Sequence, residues 1–398
     1  VPNNPQYKTY CKSLIELVNE GRGSKKRLDD AVRRILRVKH RLNLFETPYT
    51  NMKNYPSFAS ENHKKSAYMA AAESITLLKN KGALLPANTS SKVMVIGPTA
   101  NSLNCLNGAW THTWQGIDPQ YNNTENPTIY EAIKKGTKSS DLYQGSIMKM
   151  VEGDEADFPS YDLTVAVKNA KNYDFAVVCL GELPSTERPG DIYTLDMAKE
   201  QREIVKELSK TGVKIVLVLI EGRPKIISDI EPLADAVIQC YLPGDQGGQV
   251  LSDIIFGKIN PSGKLPYTYP RHNGVIMHYD HKQSELINAN TWKNDFFNPQ
   301  YEFGFGLSYT NYEYSNLKIS KNVFSPLDKT ITVSVDVKNT GGKAGKEVVQ
   351  LYSRDHFASI SPPLKKLVRY AKINLDPNEI KTVSFTLDIK ELGFYNAD

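Results

Sequence analysis

Four short, continuous apolar runs, separated by stretches of helical periodicity, most constrain the fold of this 398-residue chain. The runs occupy residues 93–97, 175–181, 213–220 and 236–241, and the first two end in glycine. Strands without polar alternation are typical of parallel sheets that helices cover on both faces. Helical stretches over residues 196–210 and 247–256 fit that arrangement. We therefore expect an α/β sandwich domain with a mostly parallel sheet over residues 51–310.

The pattern changes near Asn311. Residues 330–337 alternate strictly between polar and apolar side chains, which is typical of a strand with one buried face. Further short strands are predicted over residues 347–352, 371–375 and 381–387, with turn residues between them. Short alternating strands at this spacing indicate a β-sandwich over residues 311–398, which we expect to be truncated.

The first 50 residues predict two amphipathic helices. Residues 9–19 have helical periodicity, and Gly21 and Gly23 are expected to end that helix. Ser24 is an N-cap candidate for a second helix that runs to about residue 44. Neither helix has an evident core of its own, so we expect both to pack on a domain that precedes them. A linker over residues 47–57 and a helix over residues 60–78 should follow.

Composition narrows the function classes. The formal net charge is +5, and Lys and Arg are spread along the chain, which argues against nucleic-acid binding. No apolar run is long enough to span a membrane. The four cysteines form neither a C-x-x-C pair nor a metal-ligand spacing, and their pairing is left open. No metal or organic cofactor is indicated.

Polar residues that follow the strands are the candidates for chemistry, because ligands of α/β sheets bind outside the carboxyl ends of the strands. The loop after residue 181 carries Glu182 and Glu187, two prolines and a final Gly-Asp pair that ends at Asp191. A glutamate on such a loop can serve as a general acid. The alternative is that both glutamates are ordinary solvated surface residues.

The first apolar run leads to a second candidate loop, residues 107–116. It contains Trp110 and Trp114, two of the three tryptophans, among Gly, Thr and Asn residues. Aromatic rings stack on the apolar faces of sugars, while polar neighbours bind hydroxyl groups. The alternative for Trp110 is a buried core residue. His112 is best interpreted as a surface histidine, and no phosphate-binding loop or dinucleotide fingerprint occurs.

Together these segments resemble glycoside hydrolase family 3, of the β-glucosidase and exo-glucosidase type. The resemblance rests on motifs at residues 28–36, 73–80, 108–116, 260–266 and 303–310. The first resembles the last helix of the family's N-terminal barrel, and the second resembles the first helix of its second domain. The C-terminal region is similar to the fibronectin type III-like domain that often follows.

The resemblance implies a retaining mechanism, in which a barrel aspartate attacks the anomeric carbon and a glutamate of the second domain is the acid/base. That glutamate matches Glu187, and Glu182 is the second choice, more suited to holding the loop. Asp191 matches a loop anchor of the family. Trp114 matches the tryptophan that lines the aglycone side, and Trp110 matches its neighbour.

The family's Ser-Asp-Trp-like nucleophile motif and its Lys-His motif are not found in this sequence. The resemblance therefore implies the acid/base part of a β-glucosidase that needs an N-terminal barrel and is inert alone. Expected substrates are β-glucosides or short oligosaccharides, with xylosides as an alternative, and the expected location is periplasmic or secreted. Another interpretation is a non-catalytic carbohydrate-binding or structural module of the same fold. A third is a flavodoxin-like cofactor binder, and the absence of a phosphate-binding loop in the sequence argues against that one.

Overall fold

The computed structural model describes residues 6–143, 163–274, 278–282, 298–325 and 328–395. The chain divides into two compact units, Val1–His63 and Lys64–Asp398. None of the described helices is long and apolar enough to cross a membrane.

The first unit contains the two predicted helices, α1 (Gln6–Asn19) and α2 (Lys25–Arg41). The side chain of Ser24 accepts a hydrogen bond from the backbone N–H of Arg27, which confirms the predicted N-cap. No residue of either helix is buried in the described structure. Apolar side chains of α2, such as Ile35 and Val38, are therefore exposed.

The predicted helix over residues 60–78 is wrong in its last part. Helix α3 (Glu61–Ser74) ends earlier, and Thr76–Asn80 forms strand β1. The segment at residues 73–80 is therefore mostly strand rather than the helix that the resemblance suggested. Leu77 and Leu78 are both buried, and β1 pairs with a neighbouring strand, so tertiary contacts override the local helical pattern.

A six-stranded sheet forms the centre of the second unit. Its strands are β1, β2 (Lys92–Ile96), β3 (Ser139–Tyr143), β4 (Phe175–Gly181), β5 (Lys214–Ile220) and β6 (Ala236–Gln239), in the order β1-β6-β5-β4-β2-β3. Only β1 runs antiparallel to its neighbour. The predicted α/β fold with a mostly parallel sheet is thus confirmed, whereas β3 was not predicted.

Helices cover both faces of this sheet. They are α4 (Ile129–Gly136), α5 (Thr164–Asn169), α6 (Lys199–Ser209) and α7 (Gly247–Ile255). Successive strand residues enter opposite cores: Val218 packs in the cluster that contains residues of α4 and α7, and Leu219 packs in the cluster that contains residues of α6. Every residue of β4 is buried, which explains why its sequence lacks polar alternation.

The strand order reverses between β2 and β4, which both end near a glycine. A Cβ on Gly97 would lie 2.1 Å from the carbonyl oxygen of Cys179, and one on Gly181 would lie 1.8 Å from that of Ile220. Only glycine permits such close approaches of backbones. Because β2, β4 and β5 are parallel neighbours, the loops that follow them leave the same edge of the sheet, where α/β proteins place their sites.

Two antiparallel sheets form the C-terminal sandwich. One contains β7 (Tyr312–Ile319), β8 (Thr330–Asn339) and β11 (Ile380–Asp388), and the other contains β9 (Gly345–Ser353) and β10 (Lys366–Leu375). Their core consists of Val337, Val349, Leu375, Val383 and Phe385. The predicted sandwich is confirmed, with β7 as an additional strand. It contacts the α/β domain directly, since Nε2 of Gln350 donates to the carbonyl oxygen of Gly304 at 3.0 Å.

The four cysteines are unpaired. Cys105, Cys179 and Cys240 are buried and Cys11 is exposed. Burial raises the pKa of Cys105 to about 11 and also raises the pKa of Cys179. These three residues act as small core side chains.

Candidate active site

Glu182 lies directly after β4 and is held by residues that follow β5. Its carboxylate accepts hydrogen bonds from Nη2 of Arg223 at 2.6 Å, from Nε at 3.1 Å and from the Arg223 backbone N–H at 3.0 Å. Nζ of Lys225 lies 3.5 Å from the same carboxylate. Both carboxylate oxygens of Glu182 are thus engaged by cationic or backbone donors, an arrangement that fixes the start of the loop.

Arg223 also reaches the rest of the loop. Its Nη1 donates to the carbonyl oxygen of Gly190 at 2.5 Å, and its Nη2 lies 3.4 Å from Oγ of Ser185. One guanidinium group therefore contacts the loop on both sides of Glu187.

Glu187 differs from Glu182 in its exposure and in its side-chain partners. Its side chain is exposed, and it has no hydrogen-bond or ion-pair partner among the residues that the structure describes. Its backbone has φ 55° and ψ −156°, a conformation that non-glycine residues rarely adopt. Glu187 lines a cleft of about 370 Å³ together with Glu182, Ser185, Arg223 and Leu242.

The tryptophan loop is attached to the glutamate loop by Gln115. Nε2 of Gln115 donates to the carbonyl oxygen of Thr186 at 3.1 Å, and Oε1 accepts from the Thr186 backbone N–H at 3.0 Å. The structure thus brings together the two loops that the sequence singled out. Gln115 binds the residue that precedes Glu187.

Both tryptophans are exposed, Trp110 by 67% and Trp114 by 46%. The alternative interpretation of Trp110 as a buried core residue is therefore wrong. The backbone N–H of Trp110 donates to the carbonyl oxygen of Trp114 at 2.9 Å, so the loop folds back on itself. Nδ2 of Asn107 donates to Oδ1 of Asp245 at 2.9 Å and ties the loop to the turn after β6.

Asp191 and His112 lie at the periphery of these loops. The carboxylate of Asp191 is exposed and has no partner in the described part of the chain, whereas its backbone N–H donates to Arg188 at 3.1 Å. Its anchoring role stays a prediction. His112 is exposed and stacks on Tyr121 with ring centroids 5.7 Å apart, as expected for a surface histidine.

Glu221, which directly follows β5, is a buried carboxyl group that sequence reasoning did not single out. Oε1 accepts from the hydroxyl of Tyr269 at 2.9 Å and from the Lys225 backbone N–H at 3.2 Å, while Oε2 has no hydrogen-bond partner among the described residues. Burial raises the pKa of Glu221 to about 8. The signal in the sequence is a charged residue directly after six apolar ones.

Among the described residues, no group of three or more His, Cys, Asp or Glu side chains is arranged to hold a metal ion. The side chains that the structure places at this edge of the sheet are carboxylates, a guanidinium group and exposed aromatic rings.

The fold and the site define an α/β domain with an exposed glutamate beside two exposed tryptophans, followed by an antiparallel sandwich. The model of the glycosyl hydrolase family 3 C-terminal domain matches residues 75–309, and that of the fibronectin type III-like domain matches residues 347–398. Because the first model covers more than half of the chain, this chain belongs to glycosyl hydrolase family 3.

Individual relatives agree with this assignment. The chain is 36% identical to a lysosomal β-glucosidase of Dictyostelium discoideum, over 97% of the chain and 48% of the relative. It is 34% identical to a periplasmic β-glucosidase of Salmonella typhimurium, over 97% of the chain and 54% of the relative. A β-glucosidase structure from Listeria innocua in complex with glucose superposes with a TM-score of 0.78 at 29% identity, over 96% of this chain and 52% of that structure's chain. The chain thus spans about half the length of the curated relatives it matches.

Proposed function

We propose that this chain supplies the general acid/base of a retaining β-glucosidase and that Glu187 is that residue. The observation that carries the proposal is the contrast between the two glutamates of one loop. Glu182 is engaged by Arg223 and Lys225, whereas the carboxyl group of Glu187 is exposed at the cleft and without a partner in the described structure. A general acid/base must come within hydrogen-bond reach of the substrate, and an exposed carboxyl group that is not held by another side chain can do so.

The proposed chemistry has two steps. A carboxylate nucleophile forms a bond to the anomeric carbon while the carboxyl group of Glu187 protonates the departing glycosidic oxygen. Glu187, now a carboxylate, then removes a proton from water, whose oxygen displaces the nucleophile and releases the sugar. Trp114 and Trp110 provide exposed ring faces for the leaving group to stack on.

The nucleophile is proposed to come from an N-terminal domain outside these 398 residues. Two facts support this: the sequence contains no nucleophile motif of the family, and the chain spans about half of its relatives. On this proposal the chain alone does not hydrolyse glycosides. Several relatives are β-glucosidases, and one is a β-xylosidase of Formosa agariphila, 32% identical. We favour β-glucosides as substrates, and export from the cytosol by likeness to the periplasmic and lysosomal relatives.

The experiment compares two substrates, assayed with an enzyme that joins this chain to an N-terminal domain of the family. A dinitrophenyl β-glucoside has a leaving group that needs no protonation, and a β-linked disaccharide has one that does. Replacing Glu187→Gln should lower kcat/KM for the disaccharide by about 10²- to 10⁴-fold and change the dinitrophenyl value far less. Equal values for the variant and the parent enzyme would leave a binding or structural module as the remaining interpretation.

A further inference from the structure

We infer that Arg223 and Gln115 are positioning residues that together hold the backbone on both sides of Glu187, so that its carboxyl group meets the leaving oxygen. The inference rests on the proposed function of Glu187. It assigns the geometry of the acid/base to two side chains that lie on other strand-end loops.

Arg223 joins the two ends of the glutamate loop. Its guanidinium binds Glu182 at the start, and through Nη1 it binds the carbonyl oxygen of Gly190 at the end, three residues after Glu187. The side chains of Arg223 and Glu182 are 32% and 13% exposed, so the pair is partly shielded from water. Only a planar fork with several donors can make these bonds at once, and lysine, with one compact ammonium group, cannot.

Gln115 restrains the middle of the same loop. Its amide group makes a two-point contact with the backbone of Thr186, donating to the carbonyl and accepting from the N–H. The following peptide unit belongs to Glu187. This contact fixes both the position and the orientation of the backbone that bears the carboxyl group.

Such restraints are needed because Glu187 has an unfavourable backbone conformation, and its side chain has no hydrogen-bond or ion-pair partner in the described part of the chain that could fix it. A conformation with φ 55° and ψ −156° costs on the order of 1–3 kcal/mol for a non-glycine residue and persists only where its surroundings impose it. If the two contacts were removed, the loop would relax to an ordinary backbone conformation. A displacement of about 1 Å is enough to lower a rate about 10²-fold.

The test uses the two substrates described above, because a structural role and a positioning role then differ in their effect. In Arg223→Gln, kcat/KM for the disaccharide should fall by about 10²-fold and that for the dinitrophenyl glucoside by less than about 5-fold. The kcat/KM of Arg223→Lys for the disaccharide should lie between those of the parent enzyme and Arg223→Gln, because lysine keeps the positive charge but lacks the planar set of donors of the guanidinium group. Gln115→Glu loses one of the two hydrogen bonds to Thr186. Its kcat/KM should also fall mainly for the disaccharide, by a smaller factor than in Arg223→Gln.

Arg202→Gln is the matched control. Arg202 lies on helix α6, and its side chain is also 32% exposed. It pairs with Asp229 at 3.3 Å. The Arg202→Gln variant should lower kcat/KM for both substrates by the same factor or leave both values unchanged. If Arg223→Gln does not fold, which its melting curve will report, Arg223→Lys and Gln115→Glu carry the test.

The possible failures are distinguishable. Equal losses on both substrates for Arg223→Lys and Gln115→Glu, with a selective loss for Glu187→Gln, would overturn this inference and leave the proposed function intact. A Glu187→Gln variant without selective loss would overturn both. Selective losses in all three variants, with none in Arg202→Gln, would establish the inference.

Discussion

The α/β domain and the C-terminal sandwich distribute their polar residues in opposite ways. In the α/β domain, strand β4 is buried along its whole length, and the polar side chains of interest lie on loops at the carboxyl edge of the sheet. In the sandwich, strand β11 alternates between exposed and buried residues. A sheet covered on both faces leaves its edge loops as the place for chemistry, whereas the sandwich has a small core and a wide polar surface.

The largest expected effect concerns the two cores. Leu219 of β5 is completely buried between layers, and Leu387 of β11 lies 3% exposed in the thinner sandwich. Leu219→Ala should lower the free energy of unfolding by about 3–5 kcal/mol and Leu387→Ala by about 2–3 kcal/mol, because the core of the sandwich contains fewer buried residues than the cores of the α/β domain. Urea denaturation of the 398-residue chain measures both. A greater loss at Leu387 would contradict the comparison.

The second prediction concerns the buried carboxyl group at the carboxyl edge. Because burial raises the pKa of Glu221 to about 8 from an ordinary 4.5, the folded state favours the protonated form. The contribution of Glu221 to stability should therefore decrease as pH rises from about 4.5 to above about 8, by several kcal/mol at most. Glu221→Gln cannot ionise, so its stability relative to the parent chain should rise with pH.

Thermal melting of both proteins between pH 5 and pH 9 measures that difference. A difference in melting temperature that stays constant over this range would mean that Glu221 is ionised in the folded state at neutral pH.

The smallest expected effect lies where the two domains meet. Glu73 of α3 pairs with Lys346 of β9 and Lys372 of β10. Although burial alone would raise the pKa of Glu73, the hydrogen bonds from these lysines lower it. Glu73→Gln should cost about 1 kcal/mol or less, because all three groups are partly exposed to water.

The pH dependence of this contact has the opposite sign to that of Glu221. The contribution of Glu73 is present at neutral pH and should be lost as pH falls below the ordinary range of a glutamate. The difference between Glu73→Gln and the parent chain in melting temperature should therefore shrink on going from pH 7 to pH 4. A difference that grows on acidification would contradict the ion pair.

The sequence predicted the elements whose pattern is set by burial and missed what depends on strand order. The run over residues 175–181 became β4 without change, because continuous apolar residues have no other stable arrangement than a buried one. The helix predicted to reach residue 78 ended at Ser74, since the pairing of β1 with β6 is a contact between distant segments. The tryptophan and glutamate loops were both found from sequence, and their connection through Gln115 was not.

Arg223 shows the same limit within the site. It lies 41 residues from Glu182, and only the adjacency of β4 and β5 brings the two together. Its sequence context, Glu-Gly-Arg-Pro, contains no feature that distinguishes it from an ordinary turn. Hydrogen-bond partners of this kind require the fold to be known first.

The most direct test of the central claim is azide rescue of a Glu187→Ala enzyme that contains both this chain and a family N-terminal domain. Without the acid/base, the glycosyl-enzyme formed from a dinitrophenyl β-glucoside should persist, because no carboxylate removes a proton from water. Azide is an anion that needs no such help, so it should restore turnover and yield the β-glucosyl azide. Hydrolysis at the parent rate, with no azide adduct and no response to azide, would contradict the assignment of Glu187 as the acid/base.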